Sequence, residues 1–162
     1  MPERTGRCAI LTVSSSRTEA DDVGGGELAR FAEELGLEVV AREIVPDRAG
    51  MIEEQLVHLS DSVGCDLVLT TGGTGFAPDD VTPEATRAVT DRPAPGLAEA
   101  MRLASREHTK HWMLSRNVAA IRGRTLIVNF PGSPKAIAEA GEAIAEALPH
   151  ALRLLRGGDD RH

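Results

Sequence analysis

Three glycines followed closely by two aspartates pose the chemical question of this chain. In "DLVLTTGGTGFAPDDVTPEAT", Asp66 to Thr86, an apolar run breaks into Gly72-Gly73-Thr74-Gly75. Glycine tolerates positive φ, so successive N–H groups there can turn inward as a nest for an anion. Asp79 and Asp80 then follow, and a carboxylate about 4 Å from a phosphate charge is unfavourable by about 4 kcal/mol at an effective dielectric of about 20. A cation between them removes the conflict. Mg²⁺ suits the task, because it prefers oxygen ligands, uses one or two carboxylates and completes its shell with substrate phosphates. Asp80, next to a helix start, is the better metal ligand, and Asp79 reads as a solvated loop charge. The loop is neither a Walker A sequence nor G-x-G-x-x-G. Taken alone, the glycines also fit a plain strand-to-helix turn.

Other residues carry chemistry less specifically. Asp47 in "VPDRAG" reads, on local sequence, as an ordinary turn aspartate after proline. Lys135 sits in the first turn of a helix, where the dipole prefers anions, which fits a bound anion or a solvated lysine equally. Ser14, Ser15 and Ser16 could donate to phosphate or form a polar turn, and the same choice holds for Ser115 and Arg116. His108 and His111 lack a third metal ligand of the usual type nearby and read as solvated.

The elements that must position these residues follow from hydrophobic periodicity. "CAILTV" (Cys8–Val13) is a continuous apolar run, as in a strand buried on both faces. "GELARFAEELG" places Leu28, Phe31 and Leu35 on one helical stripe, with Gly36 as its stop. "LEVVAREIV" predicts a second strand. "MIEEQLVHLSDSV" predicts a helix burying Ile52, Leu56, Leu59 and Val63, and "CDLVLTT" a third strand. This β-α-β-α-β order predicts an α/β fold with a mostly parallel sheet covered by helices. Beyond the glycines, Thr82 is expected to cap a helix with Pro83 at its first position. "DRPAPG" breaks the chain before a stripe of Leu97, Met101 and Ala104. "NVAAI" and "TLIVNF" read as two short strands joined tightly by "RGR". "PGSPKAIAEAGEAIAEAL" opens the last long helix, with Ser133 as cap, Pro134 at its first position, and Ile137, Ile144 and Leu148 on one face. Pro149 should kink or end it before a short final helix. The tail "RGGDDRH" is expected to fray. In an open parallel sheet ligands bind beyond the carboxyl ends of the strands, so "SSSR", "PDR", "TTGGTGFAPDD" and "NFPGSPK" should crowd one edge.

Composition narrows the function classes. The 162 residues fit one domain, with a core over about residues 7–155. A net charge of −7 argues against nucleic-acid and anionic-membrane partners. Aromatic residues make up only 2% of the chain, so stacking platforms for bases are scarce. Neither a leader sequence nor an apolar run of membrane-spanning length is evident, which makes a cytoplasmic protein the expectation. Cys8 and Cys65 read as small core residues and not as a disulfide.

Four segments, "AILTVSSSRT", "LTTGGTGFAPDDVTPEAT", "PGLAEAMR" and "MLSRNVAAIRGRTLIVNFPGSPKA", together resemble the MogA/MoaB family of molybdenum-cofactor biosynthesis proteins, in the family's order and from about Arg7 to Leu155. The resemblance implies a three-layer α/β/α fold and a homotrimer. It implies molybdopterin adenylyltransferase activity, in which AMP passes from ATP to the terminal phosphate of molybdopterin with Mg²⁺ and pyrophosphate is released. The family's two functional aspartates fall on Asp47 and Asp80, with Asp80 at the metal. Its substrate loop falls on Thr71, Gly72, Gly73, Thr74 and Gly75, and its second binding turn on Pro131, Gly132, Ser133 and Lys135. Ser14 and Ser115 complete the implied substrate contacts. A molybdate-inserting enzyme is the implied recipient of the product.

This chain departs from the family pattern at four points. Ser15 stands where many relatives have Asp, Asp79 where a basic residue is frequent, Gly24 where Ser is frequent, and Phe130 where Leu is usual. Ser15 and Asp79 support a competing reading, a paralogue that binds and carries molybdopterin without adenylylating it. A nucleotide-cleaving domain acting on another pyrophosphate compound is a weaker third reading.

Overall fold

The computed structural model describes residues 5–158. Their elements run β1 (Arg7–Val13), α1 (Val23–Glu34), β2 (Glu38–Val45), α2 (Ala49–Val57), β3 (Leu67–Thr71) and α3 (Thr82–Ala88). There follow β4 (Arg92–Pro93), α4 (Pro95–Ser105), β5 (Ala119–Arg122), β6 (Thr125–Phe130), α5 (Pro134–Ile144) and α6 (Ala147–Leu155). The sheet order is β2-β1-β3-β6-β5-β4. The first four strands in this order are parallel, β5 runs antiparallel to β6, and β4 antiparallel to β5.

Alternation along the buried strands divides the core between two faces, since successive side chains of a strand point opposite ways. Ile10, Leu69, Val128 and Phe130 pack with Leu28 of α1, Met101 of α4, Ile137 of α5 and Leu148 of α6. Leu11, Val68 and Ile127 pack with Ile52 and Leu56 of α2 and Ala85 of α3. The result is an α/β/α sandwich around a mostly parallel sheet. No helix among the described residues is long and apolar enough to cross a membrane. Cys8 and Cys65 are buried free thiols. Burial pushes Cys8 far up and Cys65 up to about 11, so neither supplies thiolate at neutral pH.

Several local details differ from the sequence expectations. The second helix does not stay α-helical to Val63, because its last turn, His58–Ser62, widens to a π-helix closed by the Val63 N–H on the His58 carbonyl. Arg122 holds that turn through both oxygens of Asp61, whose carboxyl it keeps below the usual range. Thr82 does not cap α3. Val81 takes the cap position, and the Thr82 hydroxyl donates to the Gly72 carbonyl at 3.0 Å. Met101 and Ala98, not Ala104, form the buried stripe of α4. The break at "DRP" holds a short strand, β4, whose Pro93 sits at the sheet edge, where a missing N–H costs no ladder bond. Pro149 lies inside α6 rather than at its end; its ring and missing N–H act on the carbonyl four residues earlier, at Ala145, where α5 stops. Gly157, at φ 79°, and Gly158 close α6 by donating to the Leu154 and Arg153 carbonyls, so this part of the tail is ordered as a helix stop. The remainder of the tail expected to fray, residues 159–162, lies outside the described residues.

One buried polar residue joins the elements around the sheet's carboxyl edge. Asn129 is fully buried. Its Nδ2 donates to the Thr70 and Thr86 hydroxyls at 3.0 and 3.1 Å, and its Oδ1 accepts the Val118 N–H at 3.1 Å. It thereby links β3, β6, α3 and the entry to β5. Asn129→Leu keeps the branching at Cγ but is bulkier and offers neither donor nor acceptor, which leaves the Val118 N–H without its partner, and a buried unpaired donor or acceptor costs about 1–3 kcal/mol. Chemical denaturation should show the variant destabilised by at least about 2 kcal/mol, with an unchanged m-value.

Candidate active site

Strand register brings the four loops together. Val13 pairs with Val45, Thr12 with Thr71, and Thr71 with Phe130, so β1, β2, β3 and β6 end at one level. Ser14, Asp47, Gly72 and Pro131 therefore leave the sheet side by side.

The glycine loop is held by close contacts that only glycine permits. Gly72 has φ 95°, and a Cβ there would lie 2.4 Å from the Val13 carbonyl oxygen. Gly73 has φ 68°, and its Cβ would lie 2.4 Å from the Thr82 hydroxyl and 3.4 Å from Asp47 Oδ1. The Gly72 N–H is not part of an anion nest, since it donates to the Phe130 carbonyl at 3.3 Å. The N–H groups of Gly73, Thr74 and Gly75 meet no acceptor among the described residues. These three donors are what an anion would use.

Each key carboxylate is anchored by one oxygen. Ser15 Oγ donates to Asp47 Oδ2 at 2.8 Å and accepts the Asp47 N–H at 3.1 Å. Asp80 Oδ2 accepts the Ala77 N–H at 3.0 Å and lies 2.9 Å from where a Gly75 Cβ would sit. The other oxygen of each carboxylate meets no hydrogen-bond donor among the described residues. Among the described residues, no group of three or more His, Cys, Asp or Glu gathers to enclose a metal. Two half-free carboxylates beside free amides could instead hold a hard cation such as Mg²⁺ together with phosphate oxygens. Asp79 is exposed and makes no ion pair among the described residues.

Arg116 fastens this loop from the neighbouring segment. Its backbone N–H donates to the Thr74 carbonyl at 2.8 Å. Its Nε donates to the Gly75 carbonyl at 2.8 Å, its Nη2 to the Asp80 carbonyl at 2.7 Å, and its Nη1 to the Glu84 carboxylate at 2.7 Å. The Arg116 hydrogen bond holds the Glu84 carboxyl below its usual range.

The remaining candidates divide between two cavities. Ser14, Thr71, Gly72, Gly132 and Ser133 line a cleft of about 270 Å³, together with Arg17. Ser14 Oγ accepts the Ser16 and Arg17 N–H groups, so it forms the polar turn while keeping its own hydrogen to donate. The Thr71 hydroxyl donates to the Pro131 carbonyl at 2.7 Å, and Ser133 Oγ caps α5 by accepting the Ala136 N–H. Ser115 and Pro131 line a separate cavity of about 130 Å³ with Trp112 and Asn117. Lys135 is exposed and does not line the cleft. His108 lies 3.5 Å from Glu139, and its partner in the sequence pair, His111, faces the smaller cavity.

Sequence reasoning passed over Arg17, Asp22 and Asn129 and left Arg116 undecided. Asp22 is buried beside the cleft, accepting the Gly25 N–H at 2.9 Å and the Thr12 hydroxyl at 2.8 Å. The available signal for it was an aspartate just before an apolar helical stripe, the pattern of an N-cap. Arg17 had a weaker one, a lone basic residue closing a serine run after a strand.

The Gly72 contact is testable. Gly72→Ala forces a side chain onto the backbone of β1 at positive φ, a strain of at least about 1–3 kcal/mol. Thermal or chemical denaturation should show that loss, whereas Gly96→Ala, where a Cβ meets nothing within 4 Å, should be near neutral.

Comparison with known proteins agrees with this architecture. Residues 9–150 match the family model of a probable molybdopterin binding domain. A molybdopterin adenylyltransferase of Helicobacter pylori strain J99 is 46% identical over 115 residues, 71% of this chain and 65% of that protein. This chain thus spans slightly less than two thirds of that relative's length. The molybdenum cofactor synthesis protein cinnamon of Drosophila melanogaster is 40% identical over 154 residues, 93% of this chain but 25% of that protein. The crystal structure of the molybdopterin biosynthesis enzyme MoaB from Thermus thermophilus has a TM-score of 0.86 at 47% identity, covering 94% of this chain and 98% of that one. With a match over most of its length and the same fold at this identity, the chain belongs to the molybdopterin-binding domain family of molybdenum cofactor biosynthesis.

Proposed function

We propose that this chain is a molybdopterin adenylyltransferase that uses ATP and Mg²⁺. The observation that carries the reading is the set of three unpartnered N–H groups at Gly73, Thr74 and Gly75 lying between two half-anchored carboxylates. In the reaction a terminal phosphate oxygen of molybdopterin attacks the α-phosphorus of ATP. A new P–O bond forms, the bond from the α-phosphorus to the bridging oxygen breaks, and pyrophosphate leaves with the electron pair. The phosphate is already a nucleophile, so no strong base is needed. The protein's work is positioning and charge neutralisation.

Residue roles follow from placement. The free amides of the glycine loop hold phosphate oxygens, and Asp80, with Asp47, would hold Mg²⁺. When bound, that ion would neutralise phosphate charge. Ser15 orients Asp47. Ser14 and Arg17 offer donors inside the cleft. Thr71, Ser115 and Pro131 spend their polar groups on internal bonds and shape the walls, while Lys135 adds charge at the rim. Purified protein with Mg²⁺-ATP and molybdopterin should yield adenylyl-molybdopterin and pyrophosphate. Asp80→Asn should lower turnover by at least about 100-fold while pterin affinity is kept, the scale expected when a transition-state charge partner is lost. Normal turnover in that variant would refute the metal role.

Asp79, an added negative charge beside Asp80, favours the carrier as second reading. A carrier would bind molybdopterin calorimetrically and release no pyrophosphate. Product release with Mg²⁺-ATP excludes it.

The same proposal includes a cytoplasmic homotrimer that passes its product to a molybdate-inserting enzyme. Self-association is supported by an apolar cavity of about 650 Å³ between β5, α4, α5 and α6, lined by Leu97, Ile121, Ala147, Ala151 and Leu154 among others. Hand-over rests on the family resemblance alone. Sedimentation velocity should show a trimer, and Leu154→Glu, at a 46% exposed position, should dissociate it. A wild-type monomer at working concentration would overturn the assembly.

A further inference from the structure

Residues 72–81 carry the candidate chemistry yet form no helix or strand. Something outside the loop must therefore fix its backbone. Thr82 does so at one end, through the Gly72 carbonyl. At the other end the guanidinium of Arg116 does so. The edge formed by Nε and Nη2 spans two carbonyls five residues apart, those of Gly75 and Asp80, while Nη1 reaches Glu84 in the first turn of α3. Only a planar fork with donors in fixed directions can make all three bonds, so a lysine cannot replace it. The loop between the two gripped carbonyls contains the Ala77 N–H that anchors the Asp80 carboxylate.

Resting on the transferase reading, we propose that Arg116 is the positioning residue for Asp80. It touches neither substrate nor metal. It clamps the loop so that the Asp80 side chain folds back over Gly75 and Ala77 with one oxygen anchored and the other left for its ligand. Arg87 serves as an internal control, because it lies 3.8 Å from the same Glu84 but makes no bond to the loop.

The test compares Arg116→Gln, Arg116→Lys and Arg87→Gln in the full chain by two readouts. Hydrogen exchange needs no activity. Arg116→Gln should speed exchange at the Ala77 and Asp80 amides, the two that are hydrogen-bonded within the loop, by about tenfold or more, leaving β3 and β6 amides unchanged, as expected for a local opening. In adenylyl transfer, Arg116→Gln should lower kcat by about 10- to 100-fold, the cost of a misplacement near 1 Å, and raise the Mg²⁺ concentration for half-maximal rate, with pterin affinity held within about twofold. Arg116→Lys should behave like Arg116→Gln, and Arg87→Gln like wild type. Adding Arg116→Gln to Asp80→Asn should cost nothing further, since residues acting through one another are non-additive. Unchanged loop exchange, full rescue by lysine, or additive losses would each overturn the proposal. A wild-type chain that binds pterin and makes no product refutes the transferase reading alone, and the exchange comparison still decides the clamp.

Discussion

The close passage of Gly72 beneath the end of β1 is the constraint on which the rest depends. A Cβ at Gly72 would sit 2.4 Å from the Val13 carbonyl oxygen, so the chain leaving β3 is pressed between the ends of β1 and β6. That passage explains why the Gly72 N–H finds the Phe130 carbonyl, while the next three amides meet no acceptor among the described residues. It also sets the height at which Asp47 meets the loop, since Asp47 Oδ1 would lie 3.4 Å from a Gly73 Cβ. The parallel register of β1, β2, β3 and β6 delivers all of these backbones to one level. A side chain at position 72 would displace the loop and every group hung from it.

Electrostatics at this edge runs against the charge of the whole molecule. The chain carries a net −7, and the loop face adds Asp47, Asp79 and Asp80. Its arginine, Arg116, is committed to carbonyls and to Glu84. Beside the carboxylates, attraction for an anion must then come mainly from groups without formal charge, the free amides, with Arg17 deeper in the cleft. Backbone amides suit this role because they are fixed by the fold and need no reorganisation when an anion arrives. In the proposed reaction the glycines and the carboxylates divide the labour, amides to phosphate oxygens and carboxylates to the metal.

Most of the architecture was legible from the sequence, because buried strands and amphipathic helices impose periods that side chains cannot disguise. The runs at Cys8–Val13 and "TLIVNF" and the stripes at Leu28, Ile52 and Ile137 fall where the strands and helices form. Elements fixed by tertiary contacts were not legible. β4 is two residues long and exists only because β5 is beside it. The π-turn at His58–Ser62 carries no sequence mark. In the candidate site the glycines and Asp80 stood out by type and spacing, whereas Asp47 read locally as a turn residue and was marked only by the family resemblance. Arg116 and Asn129 did not stand out, because their partners lie far along the chain: Arg116 reaches back 41 residues to Gly75, and Asn129 reaches 59 to Thr70. Thr82 was recognised as special for the wrong reason, since its hydroxyl serves Gly72 and not the helix end.

Ser15 and Asp79, the two departures that change the local charge, have different weights. At position 15, where the resemblance implies a carboxylate, the structure gives the serine work: its hydroxyl donates to Asp47 at 2.8 Å and takes the Asp47 N–H in return. An aspartate in the same pose would face Asp47 as a like charge, so the serine holds Asp47 without adding to the negative field. Asp79 moves the balance the other way, but from an exposed position. In water-like surroundings two charges about 4 Å apart interact by only about 1 kcal/mol, and salt reduces that further. A solvated carboxylate at the mouth therefore acts mainly on the approach of an anionic substrate, through the association rate and its salt dependence. It leaves the bound geometry to the amides, Asp47, and an Asp80 held in place by Arg116.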